Sequence, residues 1–248
     1  AGGGYTYYNV ILRGSVYAAV DSITGANTFN NLTIYGDDSL TAECQLSGNQ
    51  QVNGNLVISG YSNPYRLALD SNTAGTQRTI NVGGTVTAIY TDFKDINAGG
   101  TWNFAAAAGG IGDLGNNTGI TFTAARTAYY VGGIGAQNWS GNHWASTPTG
   151  SPNYVNYPVA QDTATFGVDS MVIAGCVITV DETHLPIIDA LNVTNTPTFT
   201  ATNMYFYNSV KLGALTWTAT DNYYYGNHLN GTLQTTGTMT GNLTLNGG

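Results

Sequence analysis

Two carboxylates near the middle of the chain, Asp92 and Asp95, have a residue type and a spacing that suggest chemistry. Enzymes that cleave polysaccharides use paired carboxylates as general acid and base. A spacing of three along a strand, however, directs the two side chains to opposite faces. Lys94 lies between them and supplies a neutralising charge. We therefore interpret the pair as a structural turn and keep glycan cleavage as the alternative.

A second acidic group lies at 181–184, where the run Asp-Glu-Thr-His brings two carboxylates and an imidazole together. A metal site needs further ligands, and the other histidines, His143 and His228, are far away in sequence. We interpret this run as a solvated turn, and Asp37-Asp38 likewise as a turn between strands. The sequence predicts no metal site and no cofactor.

The two cysteines, Cys44 and Cys176, stand in different halves of the chain without the spacing of a metal or redox motif. We expect two buried thiols that behave as small apolar side chains, with a disulfide between the halves as the alternative. The chain has no Ser-His-Asp nucleophile motif, no phosphate-binding glycine loop followed by a helix, and no paired C-x-x-C. These patterns favour a protein without enzymatic activity, and no catalytic residue is predicted.

Aromatic side chains concentrate in the segment 128–166, which holds two of the four tryptophans. If they are exposed, they form a platform for a glycan or a partner surface. If they are buried, the two tryptophans form a plug that seals the end of a β-stack, because open stack ends need capping. We favour the plug. The candidates for binding or assembly are Trp139, His143, Trp144, Tyr154 and Tyr157.

The composition restricts the classes of partner. Charged residues make up 8% of the chain, against roughly 25% in ordinary globular proteins, so Asn, Thr, Ser and Gln carry the polar surface. A net charge of −8 without any Lys or Arg cluster disfavours nucleic acid. The apolar runs are far shorter than the roughly 20 residues that cross a bilayer, so we expect no membrane insertion. Such uncharged surfaces are typical of extracellular or virion β-proteins.

A six-residue pattern, Asn-Leu-x-(Ile or Leu)-x-Gly, recurs at 31–36, 55–60 and 242–247. The first two copies start 24 residues apart, which is in the range of solenoid repeats. Strands this short cannot bury a face alone, whereas stacking one coil on the next buries it and pairs the backbone groups. Helical signal is nearly absent, since the alanine run at 105–108 ends within a turn at Gly109-Gly110.

These observations predict an all-β fold: a right-handed parallel β-helix, or β-solenoid, with an inserted junction rich in aromatic and turn residues. A β-sandwich fits the strand lengths equally well and stays the alternative. Asn and Gly at the strand ends favour the β-helix, because its tight corners need residues that tolerate positive φ. We expect a β-helix-like region at 1–125, a junction loop or plug at 126–160, and a second β-rich region at 161–248 that can be continuous with the first.

Several motifs over about 70 residues resemble a pattern found in structural β-helix proteins of tailed phages and in adhesin-like bacterial surface proteins. The resemblance begins with the segment 92–100, Asp-Phe-Lys-Asp-Ile-Asn-Ala-Gly-Gly. In those proteins a β-helix stretch closes on an N-x-G-I-x-F strand, and a G-G-x-G-x-W-S…W-S…P…D turn, the junction motif, then opens the next β-stretch. Tyr130 and Ala145 depart from the pattern, which commonly has Trp and Ser at these places, and Pro148-Thr149-Gly150 replaces a Ser-Gly-Gly run. The matching residues are Asn117, Gly119, Ile120, Phe122, Gly132, Gly133, Gly135, Trp139, Ser140, Trp144, Pro158 and Asp162.

The resemblance implies a virion structural protein, either part of a tail fibre or spike or a capsid decoration protein. Its role would be a rigid, protease-resistant element for assembly or host attachment. The alternatives are a bacterial adhesin or extracellular filament subunit and, third, a glycan-degrading tailspike domain. We expect self-association, as a homotrimer or a repeat assembly, and contacts with other virion or surface proteins, with a glycan as a further candidate partner. The expected location is the virion surface or the extracellular space.

Overall fold

The structure is a computed structural model that describes residues 3–14, 21–36, 42–107, 109–132, 136–166, 177–180, 187–193, 198–212, 216–224, 233–235 and 238–245, with side chains as far as residue 165. The described part is all-β, as the sequence predicts, with parallel sheets. It divides into two compact units, Ala1–Ala124 and Ala125–Gly248. The predicted junction segment, 126–160, therefore belongs to the same unit as the second β-rich region.

Unit 1 contains thirteen strands in its described residues. They are β1 Thr6–Arg13, β2 Asp21–Ile23, β3 Asn27–Tyr35, β4 Ala42–Leu46, β5 Gln50–Val52, β6 Leu56–Ser59, β7 Leu67–Ser71, β8 Arg78–Val82, β9 Val86–Ile89, β10 Thr91–Lys94, β11 Ile96–Asn103, β12 Ile111–Asp113 and β13 Thr118–Thr121. The alanine run near residue 105 forms a turn and no helix in the part described.

The strands of unit 1 form two sheets in which all the described pairings are parallel. One sheet has the order β13-β11-β8-β5-β3-β6-β9, with β1 on the other edge of β3. The other sheet runs β2, β4, β7, β10 and β12 in chain order. Since parallel neighbours cannot be joined by a tight hairpin, the chain visits one sheet, crosses to the other and returns.

The first two copies of the six-residue pattern lie side by side in this arrangement. Leu32 is opposite Leu56, and Ile34 is opposite Ile58, so the pairing register equals the sequence repeat. Alternate side chains of a strand face opposite ways, and in β6 the leucine and isoleucine are fully buried while their neighbours are half-buried. The pattern ends in Gly because a Cβ on Gly60 would collide with the backbone of the neighbouring strand connection.

Asn31 and Asn55, which begin these two copies, are hydrogen-bonded to each other, and Asn31 also pairs with Asn9 of β1. We call Asn9, Asn31 and Asn55 the asparagine ladder. Asn31 Nδ2 donates to Asn9 Oδ1 at 2.8 Å, and the backbone N–H of Asn55 donates to Asn31 Oδ1 at 2.8 Å. Asn55 Oδ1 in turn accepts from the backbone N–H of Thr85 at 3.0 Å. A side-chain amide both donates and accepts, so one residue type can link each strand to the next.

The core of unit 1 lies between the two sheets and is built from aliphatic side chains, with aromatic rings towards β10 and β11. Phe93 stacks on Phe104, with ring centroids 5.9 Å apart, and meets Trp102 edge-on at 6.0 Å. The fully buried aliphatic members include Val52, Leu56, Ile58, Leu69, Ile96 and Ile111. This apolar burial is the main stabilising contribution to the unit.

Unit 2 contains ten strands in its described residues and one short 3-10 helix at Tyr154–Asn156. The strands are β14 Thr127–Tyr130, β15 Ala136–Asn138, β16 Trp144–Ala145, β17 Thr163–Phe166, β18 Val177–Val180, β19 Ile187–Val193, β20 Thr198–Leu212, β21 Thr216–Tyr224, β22 Leu233–Thr235 and β23 Thr238–Leu245. They form one sheet that is parallel except for the β14–β16 pair, and β23 pairs with β21. Among the described residues, no helix has the length and apolar character needed to span a bilayer.

Candidate functional site

Three of the five aromatic candidates are buried together in unit 2. Trp139, Trp144 and Tyr157 are 0%, 1% and 1% exposed. The Trp139 and Trp144 rings meet edge-on with centroids 4.7 Å apart, and Tyr130 meets Trp144 in the same way at 5.4 Å. Offset and edge-on contacts of this kind are the favourable geometries for aromatic pairs.

Backbone pairing explains how these rings come together. Tyr130 of β14 lies opposite Trp144 of β16 in the antiparallel pair. Trp144 Nε1 donates to the backbone oxygen of Trp139 at 3.1 Å, and Asn153 N donates to the backbone oxygen of Trp144 at 2.8 Å. The segment 139–153 is thus folded around the Trp144 ring.

The two remaining candidates are more accessible. Tyr154 is 49% exposed, and His143 is half-buried with its ring 5.5 Å from that of Tyr130. Burial lowers the pKa of His143, because an apolar surrounding disfavours the charged imidazolium. A buried ring cannot offer its face to a ligand, so an aromatic platform would have to rest on Tyr154 and His143. A binding or assembly role for the five residues stays a prediction.

Asp162 is the final residue of the junction motif, and it forms an ion pair with Arg126. Sequence analysis does not identify this partner. The Asp162 carboxylate is fully buried and accepts from Arg126 Nε at 2.9 Å, from Arg126 N at 2.9 Å and from Val159 N at 3.0 Å. Arg126 also donates to the backbone oxygens of Val155 and Tyr157, at 2.6 and 2.7 Å. The pair therefore fixes the loop that carries Tyr157.

Asp92 is held by Arg66, which corrects the expectation that Lys94 neutralises it. Arg66 Nε donates to the two Asp92 oxygens at 2.9 and 2.8 Å, and Nη2 donates to Oδ1 at 2.7 Å. Both side chains are buried. The guanidinium fork fits a carboxylate with two parallel hydrogen bonds, which a lysine ammonium cannot do. Lys94 instead lies opposite Asp70 in the pairing of β10 with β7.

The Asp95 carboxylate has hydrogen-bond donors of its own, different from those of Asp92. It follows β10 with a φ of 55°, in the left-handed region, and it is buried. Its carboxylate accepts from Gly75 N at 3.0 Å and from the side-chain amide of Asn116. Each of the two carboxylates has its own donors, so neither is placed as a free acid or base.

A different carboxyl pair, Glu43 and Asp70, lies on neighbouring strands of the second sheet. Gln45, whose amide donates to Glu43 Oε1 at 2.8 Å, is opposite Asp70 in the register of β4 with β7. Burial, and secondly the charge of Glu43, raise the pKa of Asp70 to about 8, although Lys94 acts in the other direction. Its surroundings therefore favour the protonated form of Asp70. Sequence analysis missed this pair because only the strand register brings it together.

Changing Asp70 to asparagine is expected to flatten the dependence of the stability of unit 1 on pH. The folded chain keeps a proton on Asp70 that the unfolded chain releases, so this contribution is full below pH 3.8 and is lost as the pH rises to about 8. We expect the wild type to lose roughly 2 to 3 kcal/mol over this window after allowing for screening. Guanidinium unfolding at several pH values measures it, and Glu43→Gln should flatten the curve as well. An unchanged slope in Asp70→Asn contradicts the assignment.

Cys44 is buried and carries a free thiol. Burial, with the nearby carboxylates adding to it, raises the pKa of the thiol to about 12, so Cys44 is not a reactive nucleophile at neutral pH. In the described part of the chain no three His, Cys, Asp or Glu side chains come together as metal ligands. Cys176, the Asp37-Asp38 pair, the 181–184 run and His228 lie outside the described residues.

The most accessible apolar surface of unit 1 is on its first strand. We call Tyr5, Tyr7, Tyr8 and Ile11 the β1 edge surface; they are four of the seven large apolar or aromatic side chains that are exposed in the described residues. Tyr8 and Ile11 are 77% and 60% exposed. Beside them lies a cavity of about 230 Å³, lined by Tyr7, Val10, Leu12, Ser22, Ile23, Thr24, Asn27 and Phe29. In the described residues no further strand covers this end of the core.

The residues within reach of solvent that suggest a function are the β1 edge surface, the Glu43–Asp70 pair, and Tyr154 with His143. Comparisons with models of protein families, with curated proteins and with solved structures each find no match to this chain.

Proposed function

We propose that this chain is a structural protein of a virion, either part of a tail fibre or spike or a capsid decoration protein. In this proposal its strands form a right-handed β-solenoid, with the junction segment 126–160 inserted, and its role is to provide a rigid, protease-resistant element for assembly or host attachment. The resemblance of the junction motif to phage and surface β-helix proteins gives the biological setting.

The observation that carries the proposal is the asparagine ladder with the aliphatic pairs beside it. Leu32 and Leu56 stack in the core at the same register at which Asn31 and Asn55 are hydrogen-bonded outside it. Identical side chains stacked in parallel strands are what a solenoid repeat produces. A β-sandwich, by contrast, is built from antiparallel sheets, and the pairings described in unit 1 are parallel.

The same features suit a mechanical role. Long parallel ladders bond each backbone segment to its neighbours, so a protease finds few segments that open locally. The buried Arg66–Asp92 pair, and the pair of the exposed Arg126 with the buried Asp162, hold turns in place by several hydrogen bonds each. With only 8% charged residues, the surface is formed by uncharged polar and tyrosine side chains, which suits extended contacts between subunits.

The proposal is tested by imaging native particles and by digesting the purified chain. We expect the protein in purified virions by mass spectrometry, at a regular position in cryo-electron microscopy maps, and we expect the β-rich units to survive proteinase K under native conditions. Enrichment in bacterial envelope fractions and absence from particles would favour the adhesin or filament alternative. Rapid digestion of the folded chain would overturn the structural role.

A second candidate function, glycan cleavage, is favoured by one observation. Burial and the nearby Glu43 raise the pKa of Asp70, as the surroundings of a general acid in a glycosidase do. Glu43 Oε1, however, accepts from the Gln45 amide at 2.8 Å, whereas the second carboxyl group of a glycosidase must be placed about 5 Å or more from the first and directed at the substrate. Release of reducing ends from bacterial capsular polysaccharide, lost in Asp70→Asn with the fold retained, would establish cleavage and displace the structural proposal.

A further inference from the structure

We infer that the free edge of β1 is completed by β23 of a second copy of this chain, so that copies join end to end through a parallel strand pair. The inference rests on the proposed structural function and names the partner and its register. Asn242 of one copy lies opposite Asn9 of the next, and Leu245 lies opposite Leu12.

The two strands, β1 and β23, share a sequence motif. β1 contains Asn-Val-Ile-Leu at 9–12, and β23 contains Asn-Leu-Thr-Leu at 242–245. Within unit 1 the segments of this type, at 9–12, 31–34 and 55–58, pair with one another in register and in parallel. A strand with the same pattern can therefore pair with the exposed edge of β1.

Both strands are edge strands of their sheets in the described residues. In the described residues β1 pairs with β3 alone, and β23 pairs with β21 alone. An edge strand presents a row of backbone donors and acceptors that can pair with another chain. Asn9 ends the asparagine ladder: its Oδ1 accepts from Asn31, while its Nδ2 has no acceptor in the part of the chain that the structure describes. An asparagine at 242 of the next copy extends the ladder by one step.

The pairing of the two strands would cover an apolar surface. The β1 edge surface is exposed, and the adjoining cavity of about 230 Å³ is larger than the ~150 Å³ cavity that admits a benzene ring. In the proposed register Leu243 and Leu245 lie opposite Val10 and Leu12, two of the residues that line the cavity. Exposed apolar patches rimmed by polar residues mark interaction surfaces.

The two edge strands have few of the charged residues that prevent strand pairing. Proteins protect edge strands that must stay unpaired with inward-pointing charges, lysines or prolines. β23 contains no charged residue and no proline, and β1 contains only Arg13, at its last position. No like charges therefore meet when the two strands pair. A head-to-tail contact of this kind uses different surfaces on the two copies, so it closes into a ring or propagates as an open filament.

Cysteine cross-linking of the full chain tests the register. Strands in a sheet are about 4.8 Å apart, which is within the range a disulfide spans, so Ile11→Cys and Thr244→Cys should cross-link when the two variants are mixed and oxidised. We expect at least a tenfold higher yield of linked pairs than with Thr240→Cys, which lies out of register with residue 11. The wild type, with its own two cysteines, is the blank. Cross-linking of Ile11→Cys with itself would mean that two β1 strands pair, and it would overturn the inference.

Sedimentation measures the association itself. We expect the average mass of the wild type to rise above the 26.0 kDa of one chain as its concentration increases. Ile11→Lys places a charge on an exposed edge position without disturbing the core, and it should weaken association at least tenfold. A wild type that stays at one chain mass at every concentration overturns the inference. If that chain nevertheless resists protease and is found in particles, the proposed function stands and only the strand pairing is overturned. Glycan cleavage by a chain whose copies still cross-link in register would overturn the structural function and leave the strand pairing as measured.

Discussion

Replacing Arg66 with alanine is expected to lower the free energy of unfolding of unit 1 by about 3 to 5 kcal/mol. Asp92 would remain buried without its bidentate partner. The backbone oxygens of Thr91, Gly109 and Gly110 would each lose a guanidinium donor at the same time. An uncompensated buried charge is among the most costly changes that a single substitution can make. Equilibrium unfolding in guanidinium chloride, followed by circular dichroism, measures the loss.

Arg78 provides the matched control for this substitution. Its guanidinium donates to Asn72 Oδ1 at 3.0 Å in an exposed position, so Arg78→Ala should cost about 1 kcal/mol or less. The double variant Arg66→Ala with Asp92→Asn should be more stable than Arg66→Ala alone, because the buried charge is gone. Equal losses in the two arginine variants, or no recovery in the double variant, would show that the ion pair does not hold these turns.

Replacing Trp144 with alanine is expected to destabilise unit 2 by about 3 to 5 kcal/mol, the range for removing a large buried aromatic side chain. The ring is 1% exposed and contacts Trp139, Tyr130 and Tyr157. Its removal leaves a cavity among these aromatic rings and takes away the hydrogen bond from Nε1. Thermal and guanidinium unfolding followed by tryptophan fluorescence measure the effect.

Tyr154 is the control for the aromatic group, because it belongs to the same segment and is 49% exposed. Tyr154→Ala should change the stability by about 0.5 kcal/mol or less. If Trp144→Ala left the stability unchanged and instead abolished binding of a glycan or partner, the ring would serve recognition and not packing. The two substitutions together therefore separate the plug interpretation from the platform interpretation.

The sequence predicts those parts of the fold that a repeat encodes. The all-β class follows from alternating residues and from the absence of helix signals, and the pairing of Leu32 with Leu56 follows from their spacing. A repeat implies register because identical segments can pair only where their apolar faces coincide. The period does not reveal the turns, whose residues do not repeat.

Interactions between different turns could not be predicted in this way. Arg66 and Asp92 are 26 positions apart, and nothing in the local sequence of Asp92 indicates a guanidinium in preference to the adjacent Lys94. The pKa of Asp70 is raised by its burial and, secondly, by Glu43, which β4 places near it. Burial of Trp144 likewise depends on the antiparallel pair that folds the junction back on itself. Such contacts depend on three-dimensional proximity between segments that have no common pattern.

The asparagine ladder has a consequence for how much chain one layer can contain. Its two steps are 22 and 24 residues long, and the bond from Asn55 to Thr85 spans 30, yet these hydrogen bonds stay between 2.8 and 3.0 Å. Most of the additional length lies between Ser71 and Ile80, whose neighbours in the adjacent layer are Leu46 and Gln50. The rise along the stack is thus independent of the number of residues per layer. Residues can be inserted into or removed from the 72–77 turn, or a foreign peptide placed there, without a change in the spacing of the strands along the stack.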